Sequence, residues 1–167
     1  MGSEFLTSPF DNLLKPVDDH LIVHNELMSS LILGNKIQIH TSKHGIPDLD
    51  TTRIVIIGIP ENRNSIDYLG DELNLNEIRK SFYNLYPGNW STEIADLGNL
   101  ILGENVEQTY GRIISMLSIL FEKNIIPIII GGSHDLLYAN YRAYDSFKSS
   151  VNIVNICLLY TSPSPRD

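Results

Sequence analysis

The chain has 167 residues, 43% hydrophobic and 19% charged, an ordinary composition for one globular domain that excludes disorder of the whole. A formal net charge of -8 with no basic patch argues against nucleic acid or an anionic membrane as partner. The single cysteine, Cys157, rules out an intrachain disulfide, and the absence of a signal pattern or of an apolar run near the ~18 residues needed to span a bilayer makes a cytoplasmic protein the expectation.

Met1–Phe5 reads as residues encoded by cloning sites, and residues 1–17 are set apart as an N-terminal segment. From Asp18 to Leu33 the apolar residues Leu21, Ile22, Leu27, Met28 and Leu31 predict a helix, started by Asp18 or Asp19 and stopped by Gly34. His20 and His24 lie four apart, as do His40 and His44. Neither pair has the glutamate of a His-Glu-x-x-His site, so all four are read as solvated surface histidines. Lys36–His40 alternates as a short edge strand does, and Ile46–Asp50 is a loop.

Arg53–Ile59 is the first strand with a buried character, ending in Pro60. The polar stretch Glu61–Leu73 after its carboxyl end is placed where binding loops sit. Leu75, Ile78, Phe82, Leu85 and Tyr86 predict an amphipathic helix over 75–86, capped by Asn74 or Asn76 and ended by Pro87-Gly88. Glu93–Leu97 is a short strand whose Asp96 is read as a cap or brace rather than a metal ligand. Asn105 caps a helix with the stripe Val106, Tyr110, Ile113, Leu117, Leu120 and Phe121.

The run Asn124–Tyr141 speaks most clearly about function. Its β-branched residues 127–130 predict a strand buried on both faces, begun at Pro127, which lacks a ladder donor. Gly131-Gly132 breaks the strand, Ser133 and Asp135 are both candidate caps of the next helix, and His134 sits between them at a strand's carboxyl end, where open α/β sheets place ligands. A neutral imidazole there suits a divalent transition metal; the plain alternative is a hydrogen-bonded histidine at a helix start. Ser133-His134-Asp135 is not a triad, because adjacent side chains diverge. The next helix is expected to reach about Phe147, with a last strand at Val151–Ile156. Strand, helix and strand in repetition predict right-handed crossovers and a parallel sheet.

These residues carry a resemblance. "IPIIIGGSHDLLYANYRAY" resembles the first metal-binding motif of the ureohydrolases, the arginase, agmatinase and formimidoylglutamase family, in which Gly-Gly-x-His supplies one manganese ligand; "IADLGN" at 94–99 resembles the approach to it. The resemblance implies a three-layer arginase-like α/β fold, incomplete here, over residues 18–156. It also implies His134 as a metal ligand supported by Gly131, Gly132, Ser133 and Asp135. In the complete family two manganese ions activate a bridging water that attacks the guanidino or formimino carbon of a small-molecule substrate, and the full-length protein can be a homo-oligomer.

Two departures matter. The family's Gly-x-x-x-Gly-Pro pattern is missing ahead of Ile78-Arg79, so arginine, agmatine and formimidoylglutamate are not distinguished as substrates. Cys157 stands where an Asp-x-His-x-Asp motif would begin, and residues 157–167 read as a non-native tail. With His134 alone, manganese binding is expected to be weak at most and the chain itself inactive. The alternatives are a non-catalytic α/β domain holding an anion on the Gly131-Gly132-Ser133 turn, and a folding piece with no ligand. Against the anion reading, the turn has neither a P-loop lysine nor the third glycine of a dinucleotide fingerprint.

Overall fold

A computed structural model describes residues 9–66, 70, 73–89, 91–145 and 151–154. The expectations for 1–5 and 157–167 lie outside these residues, as does the end of the last helix. The chain forms β1 (Leu14–Lys15), α1 (Asp19–Leu27), a 3-10 turn (Leu33–Asn35), β2 (Gln38–Ile39), β3 (Ile54–Gly58), α2 (Asn76–Tyr83), β4 (Ile94–Leu100), α3 (Val106–Glu122), β5 (Ile126–Ile130) and α4 (Leu136–Asp145).

The strands make one mostly parallel sheet in the order β1-β4-β3-β5, with β2 also on β4. Only β1 runs antiparallel. Alternation along the strands sorts their side chains onto two faces. Val55 and Ile57 of β3 and Ala95 and Leu97 of β4 join the larger core with Ile113, Met116, Leu117 and Leu120 of α3 and Ala139 and Ala143 of α4. Ile56 and Ile94 turn the other way, to Leu33 and Phe82. Helices on both faces of a parallel sheet give the three-layer α/β architecture expected.

Several elements differ from their sequence reading. Helix α1 stops at Leu27, because Leu27 and Leu31 are 81% and 59% exposed and no packing rewards a longer stripe; the buried residues are Leu21 and Asn25. Helix α2 buries Arg79 and Tyr83. Of the predicted stripe, Leu75 and Phe82 pack inward while Ile78 and, past the helix end, Leu85 face outward, so a buried charge docks the helix together with only part of the apolar stripe. His40 is buried, not solvated: it follows β2 directly, its backbone N–H donates to the Asp96 carbonyl at 2.8 Å, and its Nδ1 lies 2.9 Å from the Leu97 carbonyl. A carbonyl only accepts, so Nδ1 carries the proton. His20 and His44 are exposed as expected. Strand β4 extends three residues beyond its expected end, to Leu100.

Strand β5 departs most. Among the described residues it pairs with β3 alone, and Ile126 and Ile128 are 63% and 39% exposed, so there it is an edge strand rather than one buried on both faces. Of the strand expected at Val151–Ile156, residues 151–154 form no ladder and 155–156 lie outside the described residues. The Ile126 N–H donates to the Arg53 carbonyl and the Ile130 carbonyl accepts from Ile59. Even-numbered residues of β5 therefore point at β3, and Pro127 directs its missing N–H to the open side, which is how a proline is tolerated in mid-strand. Beside this edge an apolar groove of about 320 Å³ lies on the second face, lined in part by Leu33, Ile56, Phe82, Ile94 and Ile128.

Candidate functional site

The carboxyl ends of β3 and β5 lie side by side, with Gly58 in register with Ile130. Beyond β5 the chain turns at Gly131 and Gly132, with φ of 86° and 84°, the left-handed region that favours glycine. Packing demands glycine as well. A Cβ on Gly131 would lie 2.5 Å from the Leu75 side chain, and one on Gly132 would lie 2.0 Å from that of Leu136 and 3.1 Å from the Ile59 carbonyl.

The turn is then tied down. Ser133 donates its N–H to the Glu61 carbonyl at 2.9 Å, and its hydroxyl donates to Asp135. The Leu136 N–H donates to the Ser133 carbonyl at 3.1 Å, opening α4. Asp135 also accepts from the Tyr110 hydroxyl of α3 and, at 3.1 Å, from the Asn64 amide on the loop after β3. Partial burial works against its charge, yet the Ser133, Tyr110 and Asn64 hydrogen bonds outweigh it and hold the carboxyl below its ordinary range. Among these braced neighbours His134 is exposed, with no side-chain hydrogen bond among the described residues.

The loop after β3 is itself anchored. Glu61 is fully buried and gripped by the Arg63 guanidinium, with Nε 2.9 Å from one carboxylate oxygen, and Arg63 reaches on to the Gly103 and Glu104 carbonyls and to Thr109 of α3. The Arg63 hydrogen bond, opposed by burial, keeps the Glu61 carboxyl below its ordinary value of 4.5. A depressed native pKa contributes stability that is complete above the unfolded value and is lost as pH falls through the native one. The melting temperature is thus expected to drop as pH falls below 4.5, and Glu61→Gln should melt earlier at pH 6 and show a shallower acid decline. Parallel acid slopes for the two proteins would contradict this role.

Sequence reasoning singled out His134 and its flanking residues but missed Glu61, Arg63, Asn64 and Tyr110. The usable signal was the polar loop after β3; nothing in it marked a buried carboxylate. Asp96 is a brace, as read, held by Arg79 and Tyr83 inside the fold. Among the described residues no group of three or more His, Cys, Asp or Glu side chains is gathered to hold a metal ion. The carboxylate nearest His134 in sequence is already engaged by three donors. The described residues therefore do not complete a manganese centre.

The sequence model of the Arginase family matches residues 52–156. The chain belongs to the arginase family. Among solved structures it is similar to formimidoylglutamase from Bacillus subtilis, with 15% identity and a TM-score of 0.57, over 90% of this chain and 43% of that one. It is also similar to agmatine ureohydrolase of Thermoplasma volcanium, with 22% identity and a TM-score of 0.53, over 73% of this chain and 41% of that one. A third, Trypanosoma cruzi formiminoglutamase with manganese, shares 19% identity with a TM-score of 0.50, over 67% of this chain and 39% of that one. At these identities the likeness establishes the arginase fold, and the chain spans about two fifths of the length of each structure. No curated protein matches the chain. Among the described residues no helix is long and apolar enough to cross a membrane.

Proposed function

We propose that this arginase-family chain is the amino-terminal portion of a manganese-dependent ureohydrolase, a C–N hydrolase of a linear amidino or formimino compound such as arginine, agmatine or formimidoylglutamate. His134 contributes one ligand. The observation that carries this reading is an imidazole without a hydrogen-bond partner among the described residues, presented on a glycine turn at the carboxyl end of β5, within the residues that match the family. Such strand ends are where α/β sheets place their chemistry. The remaining ligands would come from chain beyond the described residues, so no chemical step is assigned to the residues present, and homo-oligomerisation belongs to the longer protein.

The anion-binding alternative is weaker. The Ser133 N–H and hydroxyl are both engaged, and a charged Asp135 stands beside the turn. An anion would have to displace the first and face the second.

Two measurements test the reading. With manganese added, the 167-residue chain should release no urea, formamide or ammonia from the three compounds above a metal-only blank, because a lone imidazole cannot hold a bridging pair of ions. In a longer reading frame that supplies the other ligands, His134→Ala should lower turnover on the order of a hundredfold or more, with the melting temperature nearly unchanged. A His134→Ala protein that keeps its metal and rate but melts much earlier would make His134 structural. Gly132→Val serves as the contrast: at a φ of 84° it should lose stability and activity together.

A further inference from the structure

The side chains around the β5–α4 turn form a closed hydrogen-bonded triangle that the metal reading does not use. Asn64 donates to Asp135 at 3.1 Å and to the Tyr110 hydroxyl at 3.3 Å, and Tyr110 in turn donates to Asp135. Asn64 comes from the loop after β3, Tyr110 from α3 and Asp135 from the turn itself, so three separate segments converge on one carboxylate. A second tie, from the Ser133 N–H to the Glu61 carbonyl, joins the turn to the same loop at the residue immediately before His134. Glu61 in turn is locked through Arg63 onto the first turns of α3.

We propose that Asp135 is the positioning residue of His134, acting through Tyr110 and Asn64 as a latch that fixes the direction in which the turn presents the imidazole. The functional weight of the latch rests on the hydrolase reading, since a ligand is effective only when its direction is held by the groups behind it. The latch itself needs no metal. Gly131 and Gly132 make the backbone before His134 intrinsically permissive, and a permissive segment bearing a functional side chain must be held by its neighbours. The hydrogen bonds share an acceptor and one another's donors, so removing any member loosens the rest.

The test is backbone nitrogen relaxation and amide exchange on the isotopically labelled chain, without metal, for the wild type and for Tyr110→Phe, Asp135→Asn and Ser133→Ala. The His134 N–H order parameter should sit near the rigid value of about 0.85 in the wild type and fall toward about 0.6 in Tyr110→Phe and Asp135→Asn. Exchange of the Ser133 amide, held by the Glu61 carbonyl, should speed up on the order of tenfold, the equilibrium worth of one such bond. The melting temperature of Tyr110→Phe should change little, because its ring still packs against Tyr138. If Tyr110→Phe and Asp135→Asn leave the order parameter and exchange at wild-type values, the latch is refuted, whether or not they melt earlier. Should Asp135→Asn fail to fold, Tyr110→Phe and Ser133→Ala decide alone. No substrate or metal enters these readouts. The latch can therefore fail while His134→Ala still abolishes turnover in the longer frame, and it can hold while that variant does not.

Discussion

Asp96→Ala is expected to destabilise the chain by about 3–5 kcal/mol, enough to leave much of a domain of this size unfolded at 37 °C. Asp96 is fully buried in the middle of β4 and accepts from Arg79 Nε at 2.9 Å, from the Tyr83 hydroxyl at 2.7 Å and from the Gly98 N–H at 2.8 Å. Arg79 also donates to the Asn99 side chain at 2.6 Å and to the Gly98 carbonyl at 2.8 Å. Removing the carboxylate strands a guanidinium whose side chain is 1% exposed. It also orphans a tyrosine hydroxyl whose pKa burial first, and then the Asp96 charge, push far upward, so that it remains a donor. Urea unfolding of Asp96→Ala and of the double variant Asp96→Leu, Arg79→Met separates the costs. The double variant should recover much of the loss, since no lone charge remains. If Asp96→Ala unfolds at the wild-type urea midpoint, the buried pair is not what docks α2 on the sheet.

Gly98→Ala should cost about 2–5 kcal/mol, a strained backbone added to an overpacked site. Gly98 has a φ of 82°, and an added Cβ would sit 2.0 Å from the Lys15 carbonyl oxygen. That oxygen is main chain, so β1 must move for the methyl to fit. The loss should be local first: exchange of the Leu14 and Lys15 amides, whose strand is in register with Leu100 and Asn99, should accelerate before the core of α3 is affected. Uniform acceleration across β1 and α3 would show instead that β1 does not open separately.

Much of the fold was legible because it follows from local periodicity. The β-branched run of β3, the stripe of α3 and the Asn105 cap, which accepts from the Gln108 N–H, are where the pattern placed them, and β5 differs only in starting at Ile126, with Pro127 inside the strand rather than at its first rung. What was illegible depends on distant partners. His40 looks like a surface histidine until β2 lies beside β4 and the Leu97 carbonyl, 57 residues on, meets its ring. Arg79 looks like the polar side of α2 until Asp96 faces it across the sheet. At the candidate site His134 and the glycine turn could be read from a short motif, but the Asn64–Tyr110–Asp135 triangle could not, since its members are separated by 25 to 71 residues. The exposure of β5 was equally hidden, because a run of isoleucines looks the same at an edge as in the middle of a sheet.

Pro127 gives that edge a further property. Along β5 the odd-numbered residues face outward, and of Pro127 and Ile129 only Ile129 brings an N–H. A strand arriving there finds acceptors at both positions and a donor at one. Two copies meeting edge to edge would share the same shortage, so a ladder begun at Ile129 breaks at its next rung. The apolar flank still invites contact, but contact without register, and self-association of this chain should yield amorphous, salt-sensitive clusters rather than ordered fibrils that seed their own growth.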